Sequence, residues 1–196
     1  MVIKMEEKII NYLNDVKVVS ENLKKQEKEL HKIIELLKTA REKGKQVFIC
    51  GNGGSAGTAI HMAADFFKIG ELKAISLNDN VPLMTALIND DGWENLYTEQ
   101  LKRLYNSGDM LVAISVHGGS GKDKAGLWSQ NLTKAIAWVQ DHDGITIGFS
   151  GFDGGWMKEN CDVCVTVPAN STPLVEAFHV VLHHLIAFSL QKGNRI

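Results

Sequence analysis

The segment Val47-Phe-Ile-Cys-Gly-Asn-Gly-Gly-Ser-Ala56 passes from an apolar run into a loop with three glycines in four residues, and His61 and Asp65 follow at helical spacing. A loop of this kind at the start of a helix lets backbone N–H groups close around an anion, usually a phosphate. His61 and Asp65 stand four residues apart and so project from one helix face. They place an acid–base or metal-binding pair beside that pocket. A second segment, Ser115-Val-His-Gly-Gly-Ser-Gly121, repeats the hydroxyl-and-glycine chemistry after another apolar run. No Gly-Lys-Ser/Thr completes a P-loop, and the G-x-G-x-x-G spacing of a dinucleotide site is absent. On spacing alone, a purely structural tight turn at 51–55 is the alternative. Two Ser/Gly loops suit one phosphomonoester better than a nucleotide.

The elements that must position these residues alternate from Gln46 onward. Strands are expected at 46–50, 73–77, 109–115, 144–149 and 163–167, and helices at 55–68, 81–88, 93–106, 129–141 and 172–191. The strands are continuous apolar runs, such as Met110-Leu-Val-Ala-Ile114, which reads as a parallel sheet covered on both faces. Such sheets bind ligands at the carboxyl ends of their strands, where both glycine loops fall. Ahead of the sheet, Glu6 to Lys43 carries an apolar stripe (Ile9, Ile10, Leu13, Val16, Val19, then Leu30, Ile33, Ile34, Leu37). This reads as a long helical arm with few internal surfaces to cover, hence a homo-oligomer. Residues 1–45 are taken as the arm and 46–196 as the core of a single domain.

Composition narrows the function classes. The chain has 196 residues, 44% hydrophobic and 22% charged, with a formal charge of -2. That balance argues against broad electrostatic binding to nucleic acid or an anionic membrane. The N-terminus carries acids and lysines without an uninterrupted apolar core, so neither a signal peptide nor a membrane span is expected. Three cysteines do not make a disulfide framework, and a cytoplasmic setting follows. Cys161 and Cys164 form a CxxC within a strand-like run and read as buried strand residues rather than a redox or zinc pair. Trp93, Trp138 and Trp156 read as packing residues, and Trp128 as a lid.

Cys50-Gly-Asn-Gly-Gly-Ser55, His61, Ser76-Leu-Asn-Asp79, Thr85-Ala-Leu-Ile-Asn-Asp90 and Gln100 together resemble the sugar isomerase (SIS) family, most closely its phosphoheptose isomerases. The resemblance runs from about residue 5 to 191. It implies a flavodoxin-like three-layer α/β/α sandwich on a five-stranded parallel sheet, and a homotetramer with active sites between subunits. It also implies conversion of sedoheptulose 7-phosphate to a manno-heptose 7-phosphate through an enediol. Some SIS modules are non-catalytic and bind a sugar phosphate or a protein partner, such as a replication initiator. Retention of His61, an acid at 65 and His184 favours the enzyme.

The resemblance places the phosphate on Ser55 and the loop from Ser115, with further contacts from Asn52, Gly53, Gly54, Asn89 and Asp90. The chain departs from the family pattern in four places. Ser115-Val-His-Gly-Gly-Ser120 stands where Ser-Thr-Ser-Gly-Asn-Ser is usual, which puts Val116 in the substrate loop and makes His117 either a substrate-facing residue or an exposed loop histidine. Gly121 to Trp128 reads as an insertion, so either Ser120 or Ser129 supplies the last phosphate hydroxyl, and Lys122 and Lys124 are solvated loop charges or phosphate contacts. Asp65 replaces a glutamate, and Glu176 a glutamine.

Isomerisation needs a base to carry a proton between two carbons and an acid to serve the oxygens. The resemblance gives these roles to Asp65 and His184. It also implies one zinc per subunit on His61, Asp65, Glu176 and His184, an N/O set that zinc accepts. Glu176 and His184 are eight residues apart, a rise of about 12 Å, whereas Glu176, His179 and His183 share a face better.

Overall fold

The computed structural model describes residues 5–119 and 128–191. Five parallel strands, β1 (Gln46–Gly51), β2 (Lys73–Ser76), β3 (Met110–Ile114), β4 (Ile145–Ser150) and β5 (Val163–Thr166), form one sheet in the order β2-β1-β3-β4-β5. This is the flavodoxin-like order, and the chain reverses its winding direction between β1 and β3. Gly51 pairs with Ile114 at the end of that register, so the two glycine loops leave the sheet side by side.

Successive strand residues face opposite layers, which is why the central strands β1, β3 and β4 are mostly apolar and buried on both faces, whereas edge strand β2 alternates exposed and buried residues. Val47, Ile49, Met110, Val112, Ile147 and Phe149 join one core with Ile33, Met62, Phe66, Val175 and Leu182. Phe48, Cys50, Leu111 and Ala113 join the other with Leu96, Tyr97, Leu101, Leu132 and Ile136. The first layer is α2 (Glu27–Glu42), α3 (Gly54–Lys68) and α8 (Thr172–Ser189). The second comprises α4 (Val81–Asp91), α5 (Leu96–Leu104), α6 (Gln130–Gln140) and α7 (Gly155–Asn160).

The N-terminal arm is helical, as expected. It divides into α1 (Met5–Leu23), a 3-10 turn (Lys24–Gln26) and α2. The second half has ample internal surface to cover, since Ile33 and Leu37 are fully buried against the sheet. At the turn, Gln26 Oε1 accepts from Thr166 N at 2.8 Å while its amide donates to Thr166 O. That side chain therefore satisfies the backbone of Thr166, the last residue of edge strand β5. On α1, by contrast, Ile9, Ile10 and Leu13 are each more than half exposed.

Two smaller differences have local causes. The expected helix over 93–106 opens as a 3-10 turn (Trp93–Asn95) because Gly92, at φ +89°, breaks the run from α4. Helix α7 has no amphipathic period over its six residues and was not expected.

Candidate active site

The carboxyl ends of β1 and β3 frame a cleft of about 120 Å³ lined by Asn52, Ser55, Ser115, Val116, His117, Trp128 and Ser129. Six of the expected substrate-side residues therefore meet at one place. Gly53 (φ +57°) turns the chain into α3, whose first turn carries Gly54 and the buried Ser55. The leading N–H groups of a helix have no intrahelical partners and carry positive partial charge, so this end favours an anion. On the facing loop, Gly119 N donates to Ser115 Oγ at 3.1 Å, leaving that hydroxyl its own proton to give. Gly118 must be glycine: its φ is +63°, and a Cβ there would lie 1.9 Å from Gly154 O.

Ser129 opens α6 in the left-handed conformation at φ +54°, a cost of roughly 1–2 kcal/mol for a side-chain-bearing residue. Ser120, Lys122 and Lys124 lie outside the described residues. His117 packs at 4.3 Å between ring centroids on Phe152 and edge-on to Trp128 at 5.5 Å, so aromatic rings hold its imidazole at the cleft.

A buried polar network fixes the first loop from behind. Tyr97 Oη donates to Gly51 O at 2.6 Å and accepts from Asn78 Nδ2 at 2.9 Å. Asn78 Oδ1 accepts from Gly51 N at 3.1 Å. Asn52 and Asn131 exchange amide hydrogen bonds at 2.9 Å each. Tyr97 and Asn131 were not among the expected site residues. A buried tyrosine and an asparagine inside otherwise apolar helix faces were the available signals.

Helices α3 and α8 pack side by side and run the same way. His61 and Asp65 on α3 meet His183 and His184 on α8, and one ligand atom from each lies within 4.8 Å of every other. His183 Nε2 is 3.1 Å from Asp65 Oδ2, and His61 Nε2 and His184 Nε2 are each 3.5 Å from the same oxygen. Burial pushes the His183 imidazole down to about 4, with His184 adding to the shift and the Asp65 hydrogen bond opposing it. The ring is neutral at pH 7 and keeps a lone pair. His183 Nδ1 has no partner among the described residues. Three imidazoles and a carboxylate around one point fit a divalent transition ion.

Of the four ligands implied by the resemblance, His61, Asp65 and His184 converge and Glu176 does not. Its carboxylate lies against Gly54, 2.5 Å from where a Cβ on that glycine would stand. Glu176 thus sits at the cradle end of the helix pair, seven residues or about 10 Å along α8 from His183. His179 Nε2 lies 3.1 Å from Ser150 O, and its ring is buried away from the cluster. Asn89 and Asp90 are exposed on α4, with Asn89 Nδ2 bonded to Asp90 Oδ1 at 2.7 Å, and do not line the cleft. Cys161 and Cys164 are free thiols packed on Gly148, and burial raises both, which suppresses the reactive thiolate.

The fold and these two clusters define a class, and comparison with known proteins agrees. Residues 11–123 match the SIS domain model, and the chain belongs to the SIS-domain family. Its curated relatives include the phosphoheptose isomerase of Clostridium acetobutylicum, 34% identical over 169 residues (84% of this chain and 82% of the relative). That of Geotalea daltonii is 36% identical over 165 residues (82% and 81%). Among solved structures, phosphoheptose isomerase from Neisseria gonorrhoeae superposes with a TM-score of 0.86 at 26% identity, covering 95% of this chain and 98% of that one. Among the described residues no helix is long and apolar enough to cross a membrane.

Proposed function

We propose that this chain is a phosphoheptose isomerase, an aldose–ketose isomerase converting sedoheptulose 7-phosphate to D-glycero-D-manno-heptose 7-phosphate. One observation carries the reading. Helix α3 bears the phosphate cradle on its first turn and His61, seven residues on, in the acid–base cluster, about 10 Å along the axis. An extended chain of single bonds advances about 1.2 Å per bond, so the eight bonds from C1 of a heptulose 7-phosphate to phosphorus span about 10 Å. A phosphate held in the cradle therefore delivers C1 and C2 to the cluster. The names of the relatives point to the same substrate class.

In this scheme Asp65 Oδ2 is held among the three imidazoles, and Oδ1 takes the proton from C1. His184, half-buried where His183 is fully buried, gives a proton to O2 as the enediol forms. Asp65 then returns its proton to C2, and His184 recovers one from O1, leaving the C1 aldehyde. Base and acid each end as they began. The ion assigned to the cluster is zinc, one per subunit, and when bound it supplies Lewis-acid polarisation of the substrate oxygens.

A homotetramer with sites between subunits is part of the proposal. Exposed Ile9, Ile10 and Leu13 on α1 and Val181 and Leu185 on α8 are apolar surface for partners to cover. In such an assembly Asn89 and Asp90 serve a neighbouring subunit's site. A cytoplasmic setting suits the three free thiols.

The test is incubation of the purified protein with sedoheptulose 7-phosphate, with and without chelator, followed by NMR. Appearance of the aldose with chelator-sensitive turnover is expected. Saturable binding with no turnover at high enzyme would instead identify a non-catalytic SIS module.

A further inference from the structure

Three imidazole nitrogens point at a single carboxylate oxygen, and hydrogen bonding does not account for that gathering. Only His183 Nε2, at 3.1 Å, is at ordinary hydrogen-bond distance from Asp65 Oδ2; His61 and His184, at 3.5 Å, are at the outer limit. The rings also crowd one another, with centroids 4.0 Å apart for His183 and His184 and 4.5 Å for His61 and His183. What three imidazoles and one carboxylate, with one ligand atom from each within 4.8 Å of every other, share is affinity for a common cation at their centre.

The set His61, Asp65, Glu176 and His184 cannot serve that centre, because the Glu176 carboxylate abuts Gly54 at the other end of the helix pair. An aspartate at 65 also holds its carboxylate one methylene closer to α3 than a glutamate would. The centre is drawn toward the seam between α3 and α8, and the side chain buried in that seam is His183. We infer that His183 is a metal ligand, completing a His61–Asp65–His183–His184 set in which it compensates for the shortened carboxylate at 65. Glu176 is thereby released to the sugar-phosphate side, against the glycine loop. This assignment rests on the metal reading of the proposed function. A three-imidazole, one-carboxylate set has one negative charge and selects zinc, cobalt or nickel over magnesium, calcium or manganese.

The experiment uses full-length protein stripped with chelator and titrated with cobalt(II) and zinc(II). Metal content, visible cobalt bands and competition with a chromophoric chelator are the readouts. Wild type is expected to take one ion per chain. His183→Gln is expected to weaken binding at least about tenfold and to change the cobalt spectrum, since even indirect supports of a metal site are worth that much. Glu176→Gln is expected to leave affinity and spectrum within about twofold, since its carboxylate touches the glycine loop rather than the ion. Should His183→Gln fail to fold, ring-nitrogen NMR of wild type answers the same question, because the His183 Nε2 signal must move on zinc addition. If wild type binds no ion, the metal reading and this assignment fall together. If wild type binds one and His183→Gln is indistinguishable from it, or the His183 signal is static, only the assignment falls.

Discussion

At its N-terminal end α3 meets a cradle made of backbone and small hydroxyls; two to three turns further on it presents His61 and Asp65 to the rings of α8. The cradle is a product of the sheet. Parallel pairing of Gly51 with Ile114 aligns two loops whose glycine conformations leave little choice of residue. The cluster is a product of helix docking, between residues more than a hundred positions apart in sequence. Its identity is correspondingly free to drift: an aspartate stands at 65, and a histidine at 183 occupies the place expected of Glu176. A strand-end loop constrains its residues through backbone geometry, whereas a seam between two helices constrains only where side chains end. Perturbing each end should therefore fail differently, the cradle in binding and the cluster in turnover.

The largest expected effect is Asp65→Asn. The amide cannot take the C1 proton, and loss of a positioned general base costs about 10²–10⁴-fold in kcat. Phosphate-end binding should persist, so calorimetry with sedoheptulose 7-phosphate is expected to show affinity within a few-fold of wild type. Loss of binding along with turnover would mean that the two ends are not separable. Ser55→Ala is the converse case. It removes a buried hydroxyl from the cradle, a hydrogen bond to a charged group worth about 1.5–3 kcal/mol. A rise in KM of roughly 10–100-fold with kcat nearly unchanged is expected by steady-state kinetics.

The same contrast explains what could be read from the amino-acid sequence. All five strands are legible to within a residue or two at each end; β1, β3 and β4 are apolar runs buried on both faces, while the edge strands β2 and β5 show the alternating burial of a half-covered strand. The cradle was legible because Gly51, Asn52, Gly53, Gly54 and Ser55 are consecutive, as are Ser115 to Gly119. The place of His183 is not legible in the sequence, since two adjacent histidines on a helix point about 100° apart and only the docked partner decides how each meets Asp65. Tyr97 and Asn131 were hidden for a related reason: their polar atoms matter through Gly51 and Asn52, far away in the chain. The helical N-terminal arm is legible too, but not that its second half packs on its own sheet, because amphipathicity reports that a helix buries one face and not which surface that face covers.

A smaller effect separates the α8 histidine that lies outside the cluster. Burial lowers His179 to about 4 from an ordinary 6.5. Between those values the unfolded chain binds a proton that the folded chain refuses, so stability is lost as pH falls from 6.5 toward 4. The slope from this group approaches about 1.4 kcal/mol per pH unit. Urea unfolding across that window should show the slope reduced in His179→Phe. An unchanged slope would place the acid sensitivity elsewhere.

The finest prediction concerns what holds the cradle rather than what it holds. Tyr97→Phe deletes the hydroxyl joining Gly51 O, Asn78 Nδ2 and, at 3.0 Å, Asn52 Oδ1. Each of those groups keeps a second partner: Asn78 also donates to Gly51 O at 3.0 Å, and Asn52 retains Asn131. No buried group is wholly orphaned, so the loss should be near the worth of one ordinary hydrogen bond, about 1 kcal/mol in unfolding free energy. Because the loop keeps its glycine-dictated path but is held less firmly, KM should rise by only about two- to fivefold, less than the energy of that one bond. Chelator sensitivity and cobalt spectrum should not change, since among the described residues the His61, Asp65, His183 and His184 cluster shares no hydrogen bond with this network. A variant that altered the cobalt spectrum would show that the two ends of α3 are mechanically coupled.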